Sequence, residues 1–261
     1  MPYVDSGGVQ LYYEEQGHGD GLLFLHGLGS SGADWAAQVP YFARRYRVVT
    51  LDLRGHGRSD KPPGPYTIAG LADDVAAVIA ARDLVPAHVV GVSLGGMVAF
   101  QLAVSRAELV RSLVIVNSGP DFGAMGAAGE AEIAQRLEIV RTLGMQAMGE
   151  AIAPRLFPAP EHAALRADFV TRWAANDPAA YAATLRAFAG WNVADQLDRI
   201  QCPVLVLAAE HDYTPVAVKE AYVAKLANAT LVVIPNSRHA LPVERPHAFN
   251  GAVAMFLARS R

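Results

Sequence analysis

The chain has 261 residues, a hydrophobic fraction of 52% and only 18% charged residues, enough for one large folded domain and too apolar for a disordered chain. A net charge of −3 gives no electrostatic reason to expect nucleic acid or an acidic membrane surface as a partner. The N-terminal Met1–Gly8 segment has neither a basic start nor an apolar stretch, no run reaches membrane-span length, and the single cysteine, Cys202, excludes an internal disulfide. A soluble cytoplasmic protein is the expectation, with Cys202, just before Pro203, read as a small buried residue.

In chain order, short apolar runs predict strands at Val9–Glu15, Leu22–His26, Arg47–Asp52, His88–Val92, Leu113–Asn117, Val204–Ala208 and Thr230–Ile234. Helical patterns lie between them at Gly32–Arg45, Ile68–Arg82, Leu94–Ser105, Pro215–Leu226 and Glu244–Leu257. The later strands are apolar without alternation, as strands covered on both faces are. The rhythm predicts an α/β fold, a mostly parallel sheet with helices on both sides. The first two strands, separated only by Gly17–Gly21, are expected to pair as an antiparallel hairpin. Between about Pro120 and Asp195 no strand pattern occurs, and this Ala-rich stretch is expected to be a helical insertion.

Chemistry is concentrated at four strand ends. Gly91-Val92-Ser93-Leu94-Gly95 follows an apolar run and opens a helical one. A sharp strand-to-helix turn there lifts a serine hydroxyl clear of the backbone, where a neighbouring base can activate it. The base candidate is His239, after Thr230–Ile234, and the orienting acid is Asp212, after Val204–Ala208. Both fall at the carboxyl ends of parallel strands, where ligands gather in open sheets. Glu210 is the rival acid and His247 the rival base. The backbone N–H groups of Leu28 and Leu94 are the candidate donors to a developing oxyanion. His26 is assigned to shaping the loop that carries Leu28, and Arg54–Asp60 to a turn held by side-chain hydrogen bonds, since a phosphate loop would carry a lysine pattern that is absent. The His211–Asp212 pair alone is poor support for a metal site.

These stretches carry a family resemblance. HGLG at 26–29, LDLRGHGRSD at 51–60, GVSLGG at 91–96, CPVLVLAAEHDYTP at 202–215 and SRHALPVERPHAF at 237–249 resemble the α/β-hydrolase superfamily. Within it the chain is most similar to cap-bearing serine esterases, 3-oxoadipate enol-lactonases and cofactor-free perhydrolases. Ser93 separates it from relatives that use an aspartate nucleophile. The resemblance implies an α/β-hydrolase core at 1–119 and 196–261 with a helical cap at 120–195, and a triad in the order Ser93, Asp212, His239 with Leu28 and Leu94 as the oxyanion hole. It implies hydrolysis of a small ester or lactone through an acyl-enzyme, with no metal or organic cofactor. A C–C bond hydrolase, a perhydrolase or a small-molecule receptor on the same scaffold is the alternative. Arg136, Arg141, Arg155, Arg172 and Arg186 lie in the insertion, and any of them turned inward would bind a substrate carboxylate.

Overall fold

The computed structural model describes residues 2–260. Its strands are β1 Tyr3–Ser6, β2 Val9–Gln16, β3 Gly21–Leu25, β4 Arg47–Leu51, β5 Ala87–Val92, β6 Val110–Val116, β7 Val204–Ala209 and β8 Ala229–Ile234. They form one sheet in the order β1-β2-β4-β3-β5-β6-β7-β8. Every pairing from β4 to β8 is parallel, and only β1 with β2 and β2 with β4 run antiparallel. The helices are α1 Val39–Phe42, α2 Ile68–Ala81, α3 Leu94–Ser105, α4 Gly126–Leu156, α5 Ala163–Ala174, α6 Pro178–Arg186, α7 Val216–Val223, α8 Leu241–Glu244 and α9 Pro246–Arg259.

β3, β5 and β7 are buried along their whole length, which explains their unbroken apolar sequences. Alternate residues feed two cores. Leu23, Val89, Ile115 and Val206 pack with Val75 and Val78 of α2 and Val98 of α3 on one face. Phe24, Val90, Val114 and Leu207 pack with Trp35, Phe249 and Val253 on the other, where α9 lies. No helix among the described residues is long and apolar enough to cross a membrane.

Two expectations fail locally. β2 and β3 do not form a hairpin, because β4 lies between them. Gly17, at φ +87°, lets the chain pass so close to Ala43 and Tyr46 that a Cβ would stand 2.4 Å from their carbonyl oxygens. Asp20 O then accepts the N–H of Arg47, so the turn leads the chain over the start of β4. The antiparallel partner of β2 beyond β4 is β1, a four-residue edge strand too short to register in the sequence pattern. The expected Gly32–Arg45 helix divides into a 3₁₀ turn, Gly32–Trp35, and α1, which starts afresh at Val39 with Pro40 in its first turn, where no N–H is available to continue a ladder.

The chain between β6 and β7 carries α4, α5 and α6, and its ends are joined by an isolated bridge between Asp121 and Asn192. α4 is two limbs meeting at Gly144, whose φ of 81° interrupts the helix. Glu132 on the first limb bonds Arg155 on the second, holding the limbs together across the bend.

Candidate active site

β5 ends at Val92, and Ser93 adopts φ 53° and ψ −115° before α3 begins at Leu94. A side chain at that φ is strained, and such strain persists only where the surroundings enforce it. Here they do: a Cβ on Gly91 would stand 2.2 Å from Gly95 O, and one on Gly95 2.3 Å from Leu25 O. The Ser93 carbonyl accepts from Gly96 N, Met97 N and Ser118 Oγ, so the turn is tied on both sides.

His239 follows β8, and its Nδ1–H donates to Asp212 Oδ1 at 2.6 Å. The imidazole is 19% exposed and the Asp212 side chain 1% exposed. Asn117, at the end of β6, braces the histidine loop: its Nδ2 donates to His239 O and Arg238 O, while its Oδ1 accepts from Ala209 N. Glu210 accepts the backbone N–H of Asn236, so the rival acid serves the turn before His239. His247 is exposed on α9. Burial pushes the Asp212 carboxyl up, but His239 and Lys219 beside it more than offset this and hold it below the usual carboxylate range.

Ser93, His239 and Leu28 line one cavity of about 510 Å³, within the span of small-molecule sites. No hydrogen bond among the described residues joins Ser93 Oγ to the imidazole, a contact often long in unliganded sites. Leu94 is not among the lining residues; its N–H opens α3 directly after Ser93. Neither that N–H nor Leu28 N–H donates to a protein acceptor among the described residues. Unpaired backbone amides are rare in a folded chain.

The Leu28 loop is shaped from behind. His26 is fully buried, donates from Nδ1 to Gly27 O and accepts Leu53 N–H at Nε2, so both ring nitrogens are occupied by backbone. Asp52 accepts the N–H groups of Gly32 and Arg58, which makes the 54–60 segment a side-chain-braced turn. From the front, Trp173 of α5 packs against Gly29, and Asn176 Nδ2 donates to Gly29 O at 2.8 Å.

Helices α4 and α5 and the 188 region supply most of the apolar wall, including Ile133, Leu156, Phe169, Trp173 and Phe188. Of the five arginines of the insertion, Arg141 and Arg186 are exposed, and Arg172 pairs with Asp34 and Asp168. Arg136 and the half-exposed Arg155 line the cavity and share one partner, Glu132, at 2.7 and 2.8 Å. Arg155 lies 4.6 Å over the Tyr213 ring, whose other neighbour is the His239 imidazole, stacked at 4.3 Å. The buried Tyr213 hydroxyl has no hydrogen-bond partner among the described residues, and burial pushes its phenol up to about 12 against the pull of Arg136 and Arg155. Tyr213, Asn117 and Lys219 escaped the sequence reading. Asn117, ending a predicted strand beside two Gly- and Ser-rich turns, was the one with a visible signal.

A mostly parallel eight-stranded sheet, with a serine elbow after the central strand and a helical segment inserted before β7, is the architecture of an α/β hydrolase. Residues 22–252 match the model of the Alpha/beta hydrolase family, and the chain belongs to that family. It is 33% identical to 3-oxoadipate enol-lactonase 2 of Acinetobacter baylyi, over 96% of this chain and 94% of that one. It is 32% identical to the putative carbamate hydrolase RutD of a Caulobacter species, over 98% of each chain. The crystal structure of the enol-lactonase from Burkholderia xenovorans LB400 superposes with a TM-score of 0.91 at 28% identity, covering 98% of this chain and 100% of that one. The protein is therefore a hydrolase similar in sequence and shape to the enol-lactonases.

Proposed function

We propose that the protein cleaves carboxylic esters or lactones through an acyl-enzyme. The observation that carries this reading is the strained Ser93 elbow opening on the same cavity as an imidazole anchored through Nδ1 by Asp212. In that reading His239 Nε2, the ring nitrogen left to the cavity, takes the Ser93 proton as Oγ attacks the carbonyl. Asp212 holds the tautomer and stabilises the imidazolium. The N–H groups of Leu28 and Leu94 receive the oxyanion. The leaving alkoxide takes the proton from His239, and water then repeats the sequence to release the acid. In a lactone the alkoxide stays tethered, and one hydroxy acid leaves.

Residues 120–195 form the cap in this reading, and the substrate lies between it and Ser93. The apolar wall supports a small, largely hydrocarbon substrate, and two guanidinium groups sharing a single carboxylate partner, Glu132, support one ending in a carboxylate. The names of the enol-lactonase relatives favour the same class.

The test pairs p-nitrophenyl acetate turnover with a phosphonate label read by mass spectrometry. Ser93→Ala is expected to keep the wild-type melting behaviour, lose at least about 10³-fold in kcat and gain no adduct. A Ser93→Ala protein that still turns over at the wild-type rate overturns the assignment.

A further inference from the structure

Lys219 projects from α7 into the protein, and its side chain is 1% exposed. An ammonium removed from water needs its charge paired and its three N–H donors accepted. Lys219 Nζ donates to Asp212 Oδ2 at 2.6 Å, Thr214 O at 2.7 Å and Thr214 Oγ1 at 2.5 Å. Thr214 Oγ1–H donates onward to Asp212 Oδ2 at 2.9 Å. The Asp212 carboxylate is thus divided: Oδ1 serves His239, and Oδ2 is closed off by a cation and a hydroxyl.

We propose that Lys219 is a positioning residue of the hydrolytic site: it locks the plane of the Asp212 carboxylate through Oδ2, and its charge opposes the carboxylate's hold on the imidazole proton. This rests on the serine-hydrolase reading above. Two physical effects are combined. The terminal torsion of an aspartate is soft, and a carboxylate held at one oxygen alone swings out of the plane that directs the imidazole. Two donors on Oδ2 remove that freedom. A buried carboxylate with no other partner also favours the imidazolium strongly, and a histidine already protonated at rest takes no proton from serine. The ammonium on the far oxygen opposes this, because Coulomb interactions over a few ångströms are weakly screened in a buried site.

The surrounding charges do not duplicate the effect. From α4, Arg155 lies over the Tyr213 ring, and Arg136 and Glu132 lie with it. From the histidine loop, Arg238 is paired with Glu244. Ahead of Asp212, Glu210 bonds Asn236 N and His211 is exposed. Tyr222 of α7 donates its hydroxyl to Ser118 O. Among the described residues, the groups that bond the Asp212 carboxylate oxygens are His239, Thr214 and Lys219.

The experiment follows the imidazole of His239 by NMR across a pH series and, in parallel, kcat/KM for p-nitrophenyl acetate. Lys219→Met and Lys219→Gln are compared with wild type, with thermal unfolding as the check on folding. Both variants are expected to move the imidazole titration and the acidic limb of the rate profile to higher pH by about one unit. Lys219→Gln, which retains a donor for Oδ2, is expected to lose less kcat than Lys219→Met. A limb and an NMR titration within about 0.2 units of wild type in a folded variant overturn the proposal. If neither variant folds, Thr214→Val carries the test. It removes one of the two donors on Oδ2, so kcat is expected to fall several-fold at unchanged KM with the acidic limb in place, and an unchanged kcat overturns the proposal. His239→Ala separates the two ideas: full activity there sinks the triad, while the NMR titration of His239 in the wild type and the Lys219 variants still reports whether Lys219 acts on the imidazole.

Discussion

Ser93 occupies a backbone conformation that suits glycine, at φ 53°, and keeps it because Gly91 and Gly95 leave no other path. Holding a non-glycine residue there costs on the order of 1–3 kcal/mol. Ser93→Gly removes that strain but gives the unfolded chain more freedom, worth about 0.5–1 kcal/mol. The balance predicts a variant that is inactive yet more stable by about 0 to 2.5 kcal/mol, a difference urea unfolding resolves. Arg136→Ala is predicted to lower kcat/KM for a monoester of a dicarboxylic acid by roughly 10-fold or more and to leave a neutral ester of the same length within about 3-fold. Equal losses on both substrates argue against a carboxylate subsite. The serine, acid and base candidates were legible because glycines and strand ends punctuate the sequence around them. Lys219 and Tyr213 were not: a lysine in a short helix reads as solvated, and what places its ammonium on Asp212 is the return of α7 against the loop that follows β7.

At the scale of elements, α5 acts as a clamp on the loop that carries Leu28. Gly29, at φ +73°, sits so close that a Cβ would stand 2.8 Å from Trp173, and Asn176 and Arg172 tie the same loop through Gly29 O and Asp34. Gly29→Ala is expected to push the loop off α5, costing roughly 1–3 kcal/mol of stability, with kcat for p-nitrophenyl acetate falling at least about 10-fold and KM changing less. Wild-type kcat in that variant would remove the loop from the catalytic apparatus. The parallel strands were readable from their sequences because burial on both faces removes the polar alternation. The pairing of β2 was not. Adjacency in sequence suggests a hairpin, and only the packing of Gly17 on Ala43 and Tyr46 sends the chain past β4.

Over the whole molecule, acid is the predicted weakness. His56 is buried, its ring lies tilted 5.1 Å from that of His26, and burial with the neighbouring His26 charge lowers it to about 3. His26 is lowered as well, chiefly by burial. A histidine lowered on folding binds its proton more readily in the unfolded chain. Its contribution is therefore complete above about pH 6.5 and is lost as pH falls from there through about 3. Asp212, held below the usual carboxylate range, adds a loss of the same sign at lower pH. The Tm is expected to drop between pH 7.5 and pH 5, and His56→Gln to reduce that drop by about 3 °C. Equal drops in the two proteins would clear His56 of the effect. Tyr213 touches both Arg155 and His239, so one ring links the ligand wall to the base. Under the proposed chemistry, a breeding campaign that randomises position 155 or 213 for a new substrate also disturbs the catalyst's own footing. Libraries confined to Ile133, Leu156 and Phe188 would keep preference and speed on separate dials.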